Sequence, residues 1–233
     1  MQLSIPQIPI PKGGIKYGQS GFLMHLHDSP NYGQLGQRYF DYHDRHLFLN
    51  QLLREIYTLH ALEKRFMAGE KAYSMDQEQR TIRFSIENVI YWLRKNIDDM
   101  IGLYYYLHYF TTHHKEPAKL KVSSIGGLLN EPGFHGVFGA HLAGLGRINE
   151  VSNTFKHSFL TAEVHHLIGK DEPVVNCLDL KHNSLASGPN FHSYCLRDIT
   201  ADYVAFFVHC RSAIEAFDLS FLSTEPSVST GNP

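Results

Sequence analysis

Asn149, Asn153, Lys156 and His157, within the stretch INEVSNTFKHSFL from Ile148 to Leu160, are residue types that chemistry on a phosphodiester would use. On a helix, Asn153 and His157 are four apart and share a face, with Asn149 one turn earlier. An ammonium and amides beside an imidazole could hold a phosphate and move a proton. That is the minimum for cleavage with a 2′-hydroxyl nucleophile. The competing reading is structural, because polar residues on a packed helix also form solvated faces or networks that tie helices together.

A second group has the types of a metal site. His43 and His46 are three apart, and Glu163 with His166 makes one Glu-x-x-His, the spacing with which di-iron bundles present two ligands inward. A carboxylate-bridged site needs two such motifs and two further Glu on facing helices. One motif is present, and Glu55, Glu87 and Glu215 could supply other carboxylates. A mononuclear divalent site on His43, His46 and a third ligand is chemically adequate.

Lys115, Lys119 and Lys121, beside His113 and His114, form a local basic patch in a loop that a phosphate backbone could reach. Tyr104, Tyr105 and Tyr106 are consecutive and on a helix must point three ways, so core packing is expected ahead of base stacking. The sequence has no Gly-rich phosphate loop after a strand, no Gly-x-Ser-x-Gly elbow and no His-Glu-x-x-His.

The elements that must position these residues follow from composition and periodicity. The 233 residues carry 21 Lys+Arg against 23 Asp+Glu and are 43% hydrophobic, which is ordinary for a globular protein and argues against disorder. The net charge of −2 gives no overall basic field, so contact with a nucleic acid would rest on a local patch. Histidine is abundant, at 16 residues, and imidazole serves metals and proton transfer alike. Cys177, Cys195 and Cys210 have no CxxC spacing, which fits a reducing compartment without a disulfide framework. Neither a signal-peptide pattern nor an uncharged apolar run of spanning length is present, so the expected location is cytoplasmic, with no membrane partner.

Residues 1–36 are punctuated by Pro and Gly and are expected to form an irregular arm, with Ile5, Ile8 and Ile10 docking it on another surface. Apolar spacing of three and four predicts helices from Arg38 to about Glu70, with Gly69 as a stop, and from Ser74 or Asp76 to about Thr112. The second ends in IGLYYYLHYF, apolar almost all round, which places it in the middle of a bundle. A loop with a short helix at Ser123 to Leu129 precedes a third long helix, from about Ala140 to Ile168. Residues VVNCLDL have strand character, and a fourth helix spans about Asp198 to Leu222. The expected fold is all-α: a bundle of four long helices over residues 37–222, with long loops and a flexible tail over 223–233.

The segment ENVIYWLRKNIDDMIGLYYYLHYF, Glu87 to Phe110, followed by Asn-Thr-Phe-Lys-His, resembles the all-α HEPN clan of nucleotide- and RNA-binding bundles. Members carry an Arg-x4–6-His element, often beginning Arg-Asn, on a later helix, where it forms a ribonuclease site across a dimer interface. The resemblance implies RNA or a nucleotide as partner, a homodimer, and cleavage that requires no metal. Asn153 and His157 match the Asn and His, but Ser152 stands where the family has its Arg, and Arg147 is ten residues before His157. Arg38 with His43 and Arg54 with His60 also fit the spacing, on the first helix. The roles implied are acid/base for His157, orientation for Asn153 and phosphate contact for Lys156. The alternatives are a His/Glu metal-binding bundle and a non-catalytic dimerising module.

Overall fold

The computed structural model describes residues 4–10, 26, 28–69, 76–157, 171–179 and 190–217. These are mostly helical. A small hairpin, β1 (Asp28–Ser29) with β2 (Gly33–Gln34), replaces part of the expected irregular arm. Its turn, residues 30–32, leads into Gly33, whose φ of 74° suits a residue without Cβ.

Helix α1 (Gln37–Met67) buries a stripe of Tyr42, His46, Leu49, Leu53, Ile56 and His60, spaced by three and four. Phe40, Leu47 and Phe48 lie off that stripe and are exposed. Gly69 ends the helix as expected, at φ 79°, its N–H donating to the Phe66 carbonyl at 2.9 Å. Helix α2 (Asp76–His113) runs against α1, α5 and α6, and every residue from Met100 to Leu107 is buried. That is the central position its all-round apolarity predicts.

Ser124 caps the short helix α3 (Ile125–Leu129), its Oγ accepting the Gly127 N–H at 3.1 Å. The one-turn helix α4 (His135–Phe138) lies between two 3-10 turns, Pro132–Phe134 and Gly139–His141, and leads into α5 (Leu142–His157). The expected continuation of α5 to Ile168 lies outside the described residues. Strand β3 (Val174–Asp179) covers all of VVNCLDL but its last residue, which lies outside the described residues. Its partner β4 (Asn190–Cys195), which periodicity did not reveal, pairs antiparallel from Val174↔Cys195 to Asp179↔Asn190. Cys195 passes directly into α6 (Leu196–Glu215), whose Tyr203, Phe206, Phe207 and Ile214 complete the core against α2. Among the described residues no helix is long and apolar enough to cross a membrane.

Candidate functional site

Asn153 lies on the face of α5 that meets α2, and its partner there is Arg94. Arg94 Nη1 donates to Asn153 Oδ1 at 2.6 Å. Arg94 Nε lies 3.6 Å from Asp98 Oδ2, one turn further along α2. Asp98 Oδ1 in turn accepts the Ile125 N–H at 2.8 Å, which fixes the start of α3. Burial raises the Asp98 carboxyl above its ordinary pKa, against the opposing pull of the Ile125 N–H, Arg94 and Lys156. Lys156 is exposed on the same helix as Asn153. Arg94 Nε and Asn149 Oδ1 are buried and have no hydrogen-bond partner among the described residues. His157 closes α5, and its side chain lies outside the described residues.

Arg94 is the functional candidate that motif reading did not single out. It stands inside the quoted Glu87 to Phe110 segment, yet its meeting with Asn153 depends on how two helices pack, which spacing within one helix does not encode. A guanidinium thus reaches Asn153 through space, although position 152 is Ser and is buried. Arg147 is engaged elsewhere, in a bidentate pair with Asp202 of α6 at 2.9 and 2.7 Å.

Asp98 also lines a cleft of about 130 Å³ with Arg38, Asp99, Tyr32, Tyr106 and Ser123. The loop between α2 and α3 forms one wall through Leu120 and Ser123, and the exposed Lys115, Lys119 and Lys121 belong to that loop. It is pinned in place. Glu116 accepts from Ser29 Oγ at 2.5 Å, from Asn31 and from Tyr106 at 3.1 Å, and Tyr32 donates to the Pro117 carbonyl at 2.8 Å. The hydrogen bond from Ser29 leads the contributions that hold the Glu116 carboxyl below its ordinary pKa. Tyr104, Tyr105 and Tyr106 are all buried, so none of the three offers a free ring to a base.

The His43–His46 pair is divided by its surroundings. His43 is partly exposed, with Nδ1 3.1 Å from Asp44 Oδ1. His46 is fully buried, with Nδ1 2.9 Å from the Pro9 carbonyl and Nε2 2.5 Å from the Tyr203 hydroxyl. A carbonyl only accepts, so Nδ1 carries the proton and Nε2 accepts from Tyr203. Both nitrogens are committed to the protein, which leaves His46 no lone pair for an ion. Asn96 donates to the Tyr203 oxygen at 3.0 Å, and Arg45 donates to Asn96 Oδ1 at 3.1 Å and to Asp99 at 2.7 Å. The network is satisfied and directional, running from Arg45 to the N-terminal arm. Among the described residues no three His, Cys, Asp or Glu side chains are placed to hold a metal ion. Glu163 and His166 lie outside those residues.

Comparison with protein-family models, with curated proteins and with solved structures finds no match.

Proposed function

We propose that this chain is a HEPN-like helical protein, a homodimer of four-long-helix bundles, that binds RNA or a nucleotide at the junction of α2 and α5. The observation that carries the reading is the Arg94–Asn153 hydrogen bond, 2.6 Å long, with Lys156 on the same helix as Asn153. A guanidinium and an ammonium together suit a phosphate better than either alone, one by its planar fork and the other by its charge. Asn149, one helical turn before Asn153 on α5, has a buried Oδ1 without a hydrogen-bond partner among the described residues, which leaves an acceptor on that helix. An acceptor complements a ribose 2′-hydroxyl, the group that separates RNA from DNA. Lys115, Lys119 and Lys121 extend the basic surface along the backbone.

In this reading His157 exchanges protons with the 2′-hydroxyl or the leaving oxygen, Asn153 orients the site and Lys156 contacts the phosphate, with no metal required. Incubation of a labelled single-stranded RNA with the protein in chelator tests the cleavage step. Wild type is expected to cut, and His157→Ala to bind the RNA without cutting. Undiminished cleavage by folded His157→Ala removes His157 from the mechanism.

A non-catalytic dimerising module is the second reading, favoured by the exposed apolar side chains Phe40, Leu47 and Phe48 on α1 and Phe84 and Tyr91 on α2. It predicts that Leu47→Glu changes the sedimenting mass and that no preparation cleaves RNA.

A further inference from the structure

Residues 4–10 lie as a peptide against α1 and α6, held chiefly through their backbone. Asn50 Oδ1 accepts the Ile8 N–H and Asn50 Nδ2 donates to the Ile8 carbonyl, both at 2.8 Å. This is the two-bond reading that a neighbouring strand would give. His46 Nδ1–H donates to the Pro9 carbonyl at 2.9 Å, and Arg197 of α6 donates to the Ser4 carbonyl. Ile8, 2% exposed, is the main apolar anchor, Ile5 packs against the core while partly buried, and Ile10 remains exposed.

Two of the receiving groups, Arg197 and His46, are also fixed by bonds that do not involve the arm. Arg197 Nε donates to Glu172 at 2.9 Å, and Glu172 also accepts the Tyr57 hydroxyl at 2.7 Å. His46 is set by Tyr203, as described above. A surface whose polar heads are already aimed loses little freedom when a peptide arrives. Four backbone groups and the side chains of Ile5 and Ile8 are what it recognises, so any chain that presents them in the same order satisfies it.

We infer that this face of α1 and α6 is a receptor for an extended Ile-Pro segment, and that it takes residues 4–10 of a second copy in exchange for its own. Fifteen residues, 11–25, separate the arm from Leu26. Extended, they reach about 50 Å, comparable with the ~46 Å length of a helix the size of α1. That span is enough to deliver the arm to a neighbouring copy. Exchange replaces each contact by an identical one, so it costs little beyond the association itself. The inference rests on the arm contacts alone and is independent of RNA binding.

Complementation tests it with two full-length variants. Ile8→Asp disables the arm and leaves the receptor intact, and Asn50→Leu removes both peptide hydrogen bonds while leaving the arm intact. Alone, each is expected to be folded by circular dichroism and monomeric with respect to exchange. Mixed, they are expected to give a 1:1 heterodimer in native mass spectrometry that a mixture of Ile8→Asp with the Ile8→Asp/Asn50→Leu double variant does not give, and equal heterodimer in the two mixtures overturns exchange of the arm. A fluorescent peptide of residues 2–12 is expected to bind Ile8→Asp at least tenfold more tightly than the Ile8→Asp/Asn50→Leu double variant. If Asn50→Leu fails to fold, Asn50→Ser takes its place. Folded variants that form no heterodimer on mixing overturn exchange with a second copy, even where the peptide binds. Equal peptide affinity for the single and double variants overturns the receptor itself.

Discussion

Arg94 and Asn153 are 59 residues apart in sequence and 2.6 Å apart in space, and their hydrogen bond joins α2 to α5. The bond is both a structural tie and the centre of the proposed phosphate site. Replacing Asn153 by Ala removes the acceptor and leaves a mostly buried guanidinium with Asp98 alone. A hydrogen bond to a charged group is worth about 1.5–3 kcal/mol, so Asn153→Ala should lower the unfolding free energy by about that much, read in urea as a lower midpoint with an unchanged m value.

His46 is held at a pKa of about 4, well below the ordinary imidazole value, chiefly because burial disfavours its charged form, with His43 adding to the effect. The unfolded chain binds the proton near pH 6.5 and the folded chain near pH 4. Stability contributed by neutral His46 is therefore present above about pH 6.5 and lost as the pH falls toward 4, on the order of 3 kcal/mol in all. Stability measured against pH for wild type and His46→Gln should converge toward pH 4 and separate at neutrality. Parallel curves would contradict the assignment.

Gly144 of α5 faces Asp202 of α6 so closely that a Cβ would stand 2.8 Å from the carboxylate carbon and 2.9 Å from Asp202 Cβ. Asp202 cannot retreat without leaving its bidentate pair with Arg147. Gly144→Ala should cost about 1–3 kcal/mol through this overpacking, read as a lower melting temperature. In an exposed helix the same change would stabilise.

The Tyr42 hydroxyl is buried and has no hydrogen-bond partner among the described residues, and burial, with Asp99, raises its pKa. Tyr42→Phe deletes an unsatisfied polar group while keeping the ring against Phe207, whose centroid is 5.7 Å away. The variant should equal or exceed wild type in stability, by up to about 1 kcal/mol. A loss of that size would mean the hydroxyl has a partner.

What the sequence discloses follows from the range of the interactions involved. The starts of α1 and α2, the Gly69 stop and the buried centre of α2 are local patterns, and periodicity places each within a residue or two. Strand β4 was missed because Asn190–Cys195 mixes polar and apolar residues, leaves Phe191 exposed and gains its order from pairing with β3. His46 looked like a ligand because its spacing from His43 is visible, whereas its partners Pro9 and Tyr203, 37 and 157 residues away, are not. Arg94 went unmarked for the same reason: an isolated Arg on an apolar helix acquires meaning from the helix that packs over it.

RNA affinity at the α2–α5 junction tests the central claim most directly, measured by fluorescence anisotropy of a labelled single-stranded RNA across a salt series. Lys156 is exposed and away from the core, so Lys156→Glu should leave the fold intact and weaken binding at least tenfold, with a shallower salt dependence. Arg94→Gln should weaken it likewise, and the equal charge change Arg211→Glu on α6 should leave it within twofold. Equal RNA affinity for wild type, Lys156→Glu and folded Arg94→Gln would contradict the account.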